Sequence, residues 1–202
     1  MNKNIDIIKK IPASNLREAY KISNEYLDKE SFEEFKKRYG LLPKLFIGYY
    51  RNGKIIGICH AKLDKDYGLI LQGIAINFHL KAKGLGTKLL KFFEQQAKKC
   101  GFNYISLGSA DGYVEHFYLK NNYNPSSLRI NISKNKLPNN YKKLYYIQKE
   151  KNLKGNKIAI YFDISKYFIE KDIENLTTFK ARIKKEFKIK NACYIFEKTI
   201  GN

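Results

Sequence analysis

The first clear pattern in the chain is a short alternation of polar and apolar residues over Ile5–Ile11, which predicts a first strand. Pro12-Ala-Ser-Asn15 supplies turn and helix-start chemistry, and Leu16–Leu27 then repeats apolar residues at helical spacing. Ser31 with Glu34 three residues later has the spacing of a capping box, so a second helix is expected over Ser31–Tyr39, closed by Gly40 and Pro43. Lys44–Tyr50 and Lys54–Leu63 read as strands of a hairpin, with the Asn52-Gly53 turn signal between them. After a turn around Asp64–Gly68, Leu69–Ile76 is an almost unbroken apolar run, expected as a strand buried on both faces.

Lys81–Thr87 is a loop with glycines at 84 and 86, and Lys88–Cys100 follows with helical periodicity until Gly101 stops it. Tyr104–Leu107 predicts a strand, Gly112–Asn121 a helix and Leu128–Ser133 a further strand. Asn135–Gly155 is polar and lysine-rich, a connection with room for one short strand at Leu144–Gln148. Lys157–Ile164 and Ala192–Ile200 predict strands, with a helix over Ile173–Phe187 between them. The expected class is α/β, an α+β mixed sheet. Its core would span residues 1–133. Residues 134–202 would form a C-terminal βαβ-like extension that completes the sheet or makes dimer or substrate contacts. There is no internal repeat.

Composition changes this picture little. The 202 residues are 44% hydrophobic, enough for a packed core, and the aromatics are mostly Tyr with no Trp. The net charge of +20 favours polyanionic partners such as nucleic acid or a nucleotide cofactor. The lysines are scattered singly and in pairs, however, which also describes a solvated surface and disfavours a dedicated nucleic-acid stripe. Cys59, Cys100 and Cys193 are far apart and odd in number, so no disulfide framework and no metal site is expected. Reduced cysteines, no signal peptide and no apolar run of about 18 residues suggest a cytoplasmic chain without a membrane partner.

The segment with chemistry in it is Ile74–Thr87: a buried strand, a loop with two glycines, then a helix. Backbone N–H groups of a helix's first turn have no partner inside the helix, and with the helix dipole they form a diphosphate site. Gly84 and Gly86 would let the backbone approach the phosphates, while Lys81, Lys83 and Lys88 add positive charge. The spacing matches neither the dinucleotide fingerprint nor a Walker loop. Taken alone, it is compatible with an ordinary strand-to-helix turn.

Lys81-Ala82-Lys83-Gly84-Leu85-Gly86 resembles the Arg/Gln-x-x-Gly-x-Gly/Ala hallmark of the GNAT superfamily of N-acetyltransferases. Ile74-Ala75-Ile76 is similar to the small apolar strand that precedes it in that family. Phe117-Tyr118 followed by Asn122-Tyr123 is similar to the family's Phe-Tyr-x-x-x-Gly-Phe helix. The resemblance covers about residues 5–133. Three departures stand out: Lys81 for Arg or Gln, Asn122 for Gly, and Asp111 where Asn is common. Asn is the next best residue for a positive φ.

The resemblance implies an acyl-CoA N-acyltransferase fold with splayed central strands, and direct acetyl transfer from the cosubstrate acetyl-CoA to a primary amine. It places the pantetheine arm on backbone groups of Ile74 and Ile76. The diphosphate would rest on N–H groups of Ala82, Lys83, Gly84, Leu85, Gly86 and Thr87, with Lys81 also binding the cofactor. Tyr118 matches the tyrosine that donates a proton to the departing sulfur. The strand positions where some members hold a basic group are Ile70 and Gln72, which leaves Asp111, Glu115, His116, His60 or a water chain as base. The acceptor would be met by residues 16–42, the hairpin and whatever the tail adds. Other readings stay open: a different acyl donor or acceptor, a homodimer, or a non-catalytic module that binds CoA or another anion while its basic tail binds nucleic acid.

Overall fold

The structure is a computed structural model describing residues 5–27, 29–66, 68–77, 84–109, 112–138, 147–153, 155–164 and 173–201. The chain forms two compact units, residues 1–105 with 199–202, and residues 106–198.

In the first unit, β1 (Asp6–Lys10), β2 (Phe46–Arg51), β3 (Lys54–Leu63) and β4 (Leu69–Ile76) lie side by side in sequence order. Each adjacent pair is antiparallel. Asp6 is the register partner of Arg51 and accepts two hydrogen bonds from its guanidinium, at 2.7 and 2.9 Å, which pins the edge strand. Helices α1 (Leu16–Tyr26) and α2 (Phe32–Leu41) build an aromatic-rich cluster with Ile11, Phe46, Tyr50 and Ile58. Helix α3 (Leu85–Lys99) buries Leu85, Leu89, Leu90, Phe93 and Ala97, a continuous stripe at helical spacing. Phe46–Tyr50 is buried at every position because successive side chains point to opposite faces and both are covered.

The second unit takes in most of β5 (Tyr104–Ser109), then α4 (Gly112–Lys120), β6 (Asn124–Ser133), β7 (Ile147–Asn152), β8 (Lys157–Asp163), α5 (Ile173–Glu186) and most of β9 (Ala192–Thr199). Its strand order is β5-β9-β6-β8-β7, so the last strand in sequence lies between two earlier ones. β6 pairs antiparallel with both β8 and β9. The β6–β9 ladder slips at Pro125, which has no N–H to give and is accommodated as an irregularity. Helix α5 buries Leu176, Phe179, Lys180 and Ile183, so one lysine stands in its apolar stripe.

Local signals translate directly. The capping box of α2 is formed, with Glu34 N donating to Ser31 Oγ and Ser31 N to Glu34 Oε2. Asn52 and Gly53 both adopt positive φ in the tight β2–β3 turn. Gly40 does not end α2: it remains helical, and the helix runs on to Leu41. Leu42 leaves the helical region because Pro43 follows it. Leu69–Ile76 is a strand with the expected bounds, but only alternate residues are buried; Ile70, Gln72, Ile74 and Ile76 share a half-exposed face. Of Leu144–Gln148, residues 144–146 lie outside the described residues, and the strand begins at Ile147. No described helix is long and apolar enough to cross a membrane.

Asn122 has φ +61° at the end of α4, where Tyr123 N returns to Tyr118 O at 3.0 Å. A β-carbon without a hydrogen-bonding side chain is strained there, so Asn122→Ala should lower stability by about 1–2 kcal/mol. Asn122→Gly should be neutral or better by urea denaturation.

Candidate active site

The helix start in the first unit is where the sequence led us to expect a diphosphate. Gly84, the residue before α3, has φ +92°, a backbone shape suited to glycine. A β-carbon placed there would meet nothing within 4 Å, so the approach to its main chain is open among the described residues. The first intrahelical bond of α3 is Lys88 N to Gly84 O at 3.0 Å, which leaves the N–H groups of Leu85, Gly86 and Thr87 ahead of the hydrogen-bond ladder. Among the described residues no side chain caps the helix, and no acidic residue lies in its first turn. Lys88 is exposed beside it. Lys81, Ala82 and Lys83 lie outside the described residues.

Strand β4 is irregular at the residue compared with the family's basic position. His60 pairs with Gly73 and Ala61 with Leu71, so Gln72 is the extra residue of a β-bulge. Leu27, at the end of α1, sits over Gly73 where a β-carbon would collide with it. The bulge was missed in the sequence, although a glycine inside an apolar strand is its usual signal. Ile74 and Ile76 follow on the half-exposed face.

Beside the bulge lies a polar chain that runs from half-buried Glu30 and Arg38 to buried His60 and Ser23. Glu30 is ion-paired with Arg38. Arg38 approaches His60 Nδ1 at 3.0 Å, and His60 Nε2 lies 2.9 Å from Ser23 Oγ. An arginine can only donate, so Nδ1 is the acceptor and the proton sits on Nε2, which donates to Ser23. His60 is 1% exposed and stacked on Phe46. Its pKa is pushed down to about 3, first by burial and then by the charges of Arg38 and Lys62. With its acceptor nitrogen occupied and its charged form disfavoured, His60 is a joint between α1, α2 and β3 rather than a base.

This joint has a pH signature. Below the ordinary histidine pKa of 6.5 the unfolded chain binds a proton that the folded chain refuses. Stability should therefore fall as pH drops from about 6.5 toward 3, with no contribution above that window. His60→Gln, which can also accept from Arg38 and donate to Ser23, should flatten the slope by up to about 1.4 kcal/mol per pH unit. Chemical denaturation at pH 7 and pH 5 measures it.

In the second unit, Tyr118 is 4% exposed on α4, with its ring 5.2 Å from that of Phe117, 5.6 Å from Tyr123 and 5.9 Å from Phe196. One turn earlier, Glu115 is buried and ion-paired with Lys180 of α5. Glu115 is thus engaged by a cation and is a poor candidate base. His116 is exposed on the same helix, and Asp111 lies outside the described residues.

Comparison with known proteins bears on these features. The model of the Acetyltransferase (GNAT) family matches residues 11–123. Curated protein sequences give no significant match. Among solved structures, yncA from Salmonella typhimurium, determined with its cofactor acetyl-CoA, superposes with a TM-score of 0.58 at 10% identity, covering 98% of this chain and 95% of that one. Ard1 from Thermoplasma volcanium gives 0.55 at 14% identity over 78% of this chain and 97% of its own. The ribosomal-protein-S18-alanine N-acetyltransferase from Escherichia coli gives 0.54 at 19% identity, over 78% and 91%. At these identities the structures establish the fold, a mixed α/β arrangement shared with acetyltransferases. The family model spans more than half of the sequence, including the Gly84–Gly86 loop, the bulged strand and the Tyr118 helix, and so the chain belongs to the acetyltransferase (GNAT) family.

Proposed function

We propose that this protein transfers an acetyl group from acetyl-CoA to a primary amine of a small molecule or a peptide. The observation that supports this most is the start of α3, where Gly84 has φ +92°, a β-carbon on it would meet nothing within 4 Å among the described residues, and the next three N–H groups precede the helical hydrogen-bond ladder. Residues 81–87 receive the diphosphate, and backbone groups of Ile74 and Ile76 hold the pantetheine arm. The amine lone pair attacks the thioester carbonyl carbon, the C–S bond breaks, and the Tyr118 hydroxyl gives its proton to the thiolate. The phenolate is reprotonated by the proton that leaves the new amide nitrogen, through water.

The engagement of Glu115 and His60 bears on the other half of the proton balance. Among the described candidates only His116 is both titratable and exposed, so an amine that enters already neutral, or loses its proton to a water chain, fits best. Protein and peptide acceptors have structural precedent: one neighbour is named for an alanine of ribosomal protein S18, and Naa50 of Arabidopsis thaliana was solved with the bisubstrate analogue CoA-Ac-MVNAL.

Thiol release measured with acetyl-CoA and a panel of amines and peptides tests the reading. Turnover should fall at least about a hundredfold in Tyr118→Phe, within the range for a lost general acid. Stabilisation by CoA with no thiol release from any amine would favour the alternative, a non-catalytic CoA-binding module; salt-sensitive binding of RNA or DNA would add the nucleic-acid partner.

A further inference from the structure

We propose that the C-terminal segment clamps α4, with Lys180 and Lys198 acting as positioning residues for Tyr118. The catalytic part of the proposal rests on the reading of Tyr118 given above. The clamp itself does not.

Helix α4 has nine residues, too few to hold its shape without packing partners. In its opening turn Tyr113 and Val114 are 87% and 38% exposed, so they supply little packing. What fixes it comes from the tail, at three levels. In the first turn Glu115 meets Lys180, which occupies a slot of the α5 stripe between Phe179 and Ile183 where an apolar residue would be ordinary. Lys180 Nζ is also 5.2 Å from the ring centroid of Tyr194, whose hydroxyl donates to Leu176 O at 2.6 Å. One charge thereby joins α4, α5 and β9. At mid-helix the Phe196 ring lies against Tyr118. At the far end Lys198 Nζ donates to Asn121 O at 2.9 Å, where the helix dipole favours a cation.

A buried ion pair is a weak source of stability compared with an apolar pair of similar volume, because both charges must be stripped of water. What it does supply is direction: a carboxylate and an ammonium satisfy each other in few geometries, whereas apolar side chains slide. Glu115 and Tyr118 are three residues apart and share a helix face. Fixing the rotation of α4 at Glu115 therefore fixes where the Tyr118 phenol points. An acid displaced by about 1 Å can lose two orders of magnitude in rate.

The test uses the full-length protein with the double variant Glu115→Leu/Lys180→Met, which removes both charges without stranding either, and separately Lys198→Met. Hydrogen exchange of the α4 amides, acetyl-CoA affinity and turnover are measured together. With the clamp, α4 exchanges about tenfold or more faster in each variant. Turnover in the double variant drops about a hundredfold, while acetyl-CoA affinity stays within about twofold and melting remains cooperative. A cooperatively folded double variant with parental exchange in α4 overturns the clamp. Faster exchange with parental turnover overturns the positioning role. If the parent releases no thiol with any amine, the acetyl-transfer reading is what fails, and exchange alone decides the clamp. Should the double variant not fold, Lys198→Met decides it.

Discussion

Removing residues 134–202 will leave the second unit unfolded. The deletion takes away β7, β8, α5 and β9, and with them the fully buried Ile160, Phe162, Leu176, Ile183, Tyr194 and Phe196. Each such side chain contributes about 1.5–3 kcal/mol on burial, and a whole protein is held by only about 5–15 kcal/mol. β6 would lose both neighbours at once, because β8 and β9 are the strands paired to it. The truncated chain should bind hydrophobic dyes, aggregate on concentration and lose protection of α4. A soluble 1–133 fragment that melts cooperatively and holds acetyl-CoA as well as the parent does would refute this account of the tail.

The second large effect is expected from Thr87→Glu. Thr87 is the third residue of α3. A glutamate there is a favoured helix-start residue, so the substitution should leave stability unchanged or raise it by about 0.3–1 kcal/mol. Its carboxylate would, however, occupy the N–H groups proposed to receive the diphosphate and repel it. Hydrogen bonds to charged groups are worth about 1.5–3 kcal/mol each, so the Kd for acetyl-CoA should rise about a hundredfold. Acetyl-pantetheine, which has no diphosphate, should be used equally by parent and variant. Unaltered acetyl-CoA affinity in Thr87→Glu would remove the diphosphate from this turn.

What could be read in the sequence was what is decided by near neighbours. The capping box at Ser31 and Glu34, the hairpin turn at Asn52-Gly53 and the positive φ of Asn122 each depend on a few adjacent residues, and each is present. Gly40 shows the limit even of local reasoning: glycine permits a helix to end but does not oblige it, whereas Pro43 constrains its predecessor. The bulge at Gln72 depends on the register of β3 against β4, which an apolar run does not record. The partners of two candidate bases were hidden for the same reason. His60 is engaged by Arg38, 22 residues away, and Glu115 by Lys180, 65 residues away. A lysine at an apolar position of α5 was the available hint that a buried acid was waiting elsewhere.

The place of β9 matters before the protein is finished as well as after. During translation, the groove between β5 and β6 stays vacant until some 60 further residues have emerged from the ribosome, with backbone amides and carbonyls on both sides lacking partners. Pairing across such long sequence separations is slow. The nascent chain therefore passes through a stage in which a foreign strand could be captured in place of its own, and a chaperone that shields that groove would raise the yield of correctly closed molecules.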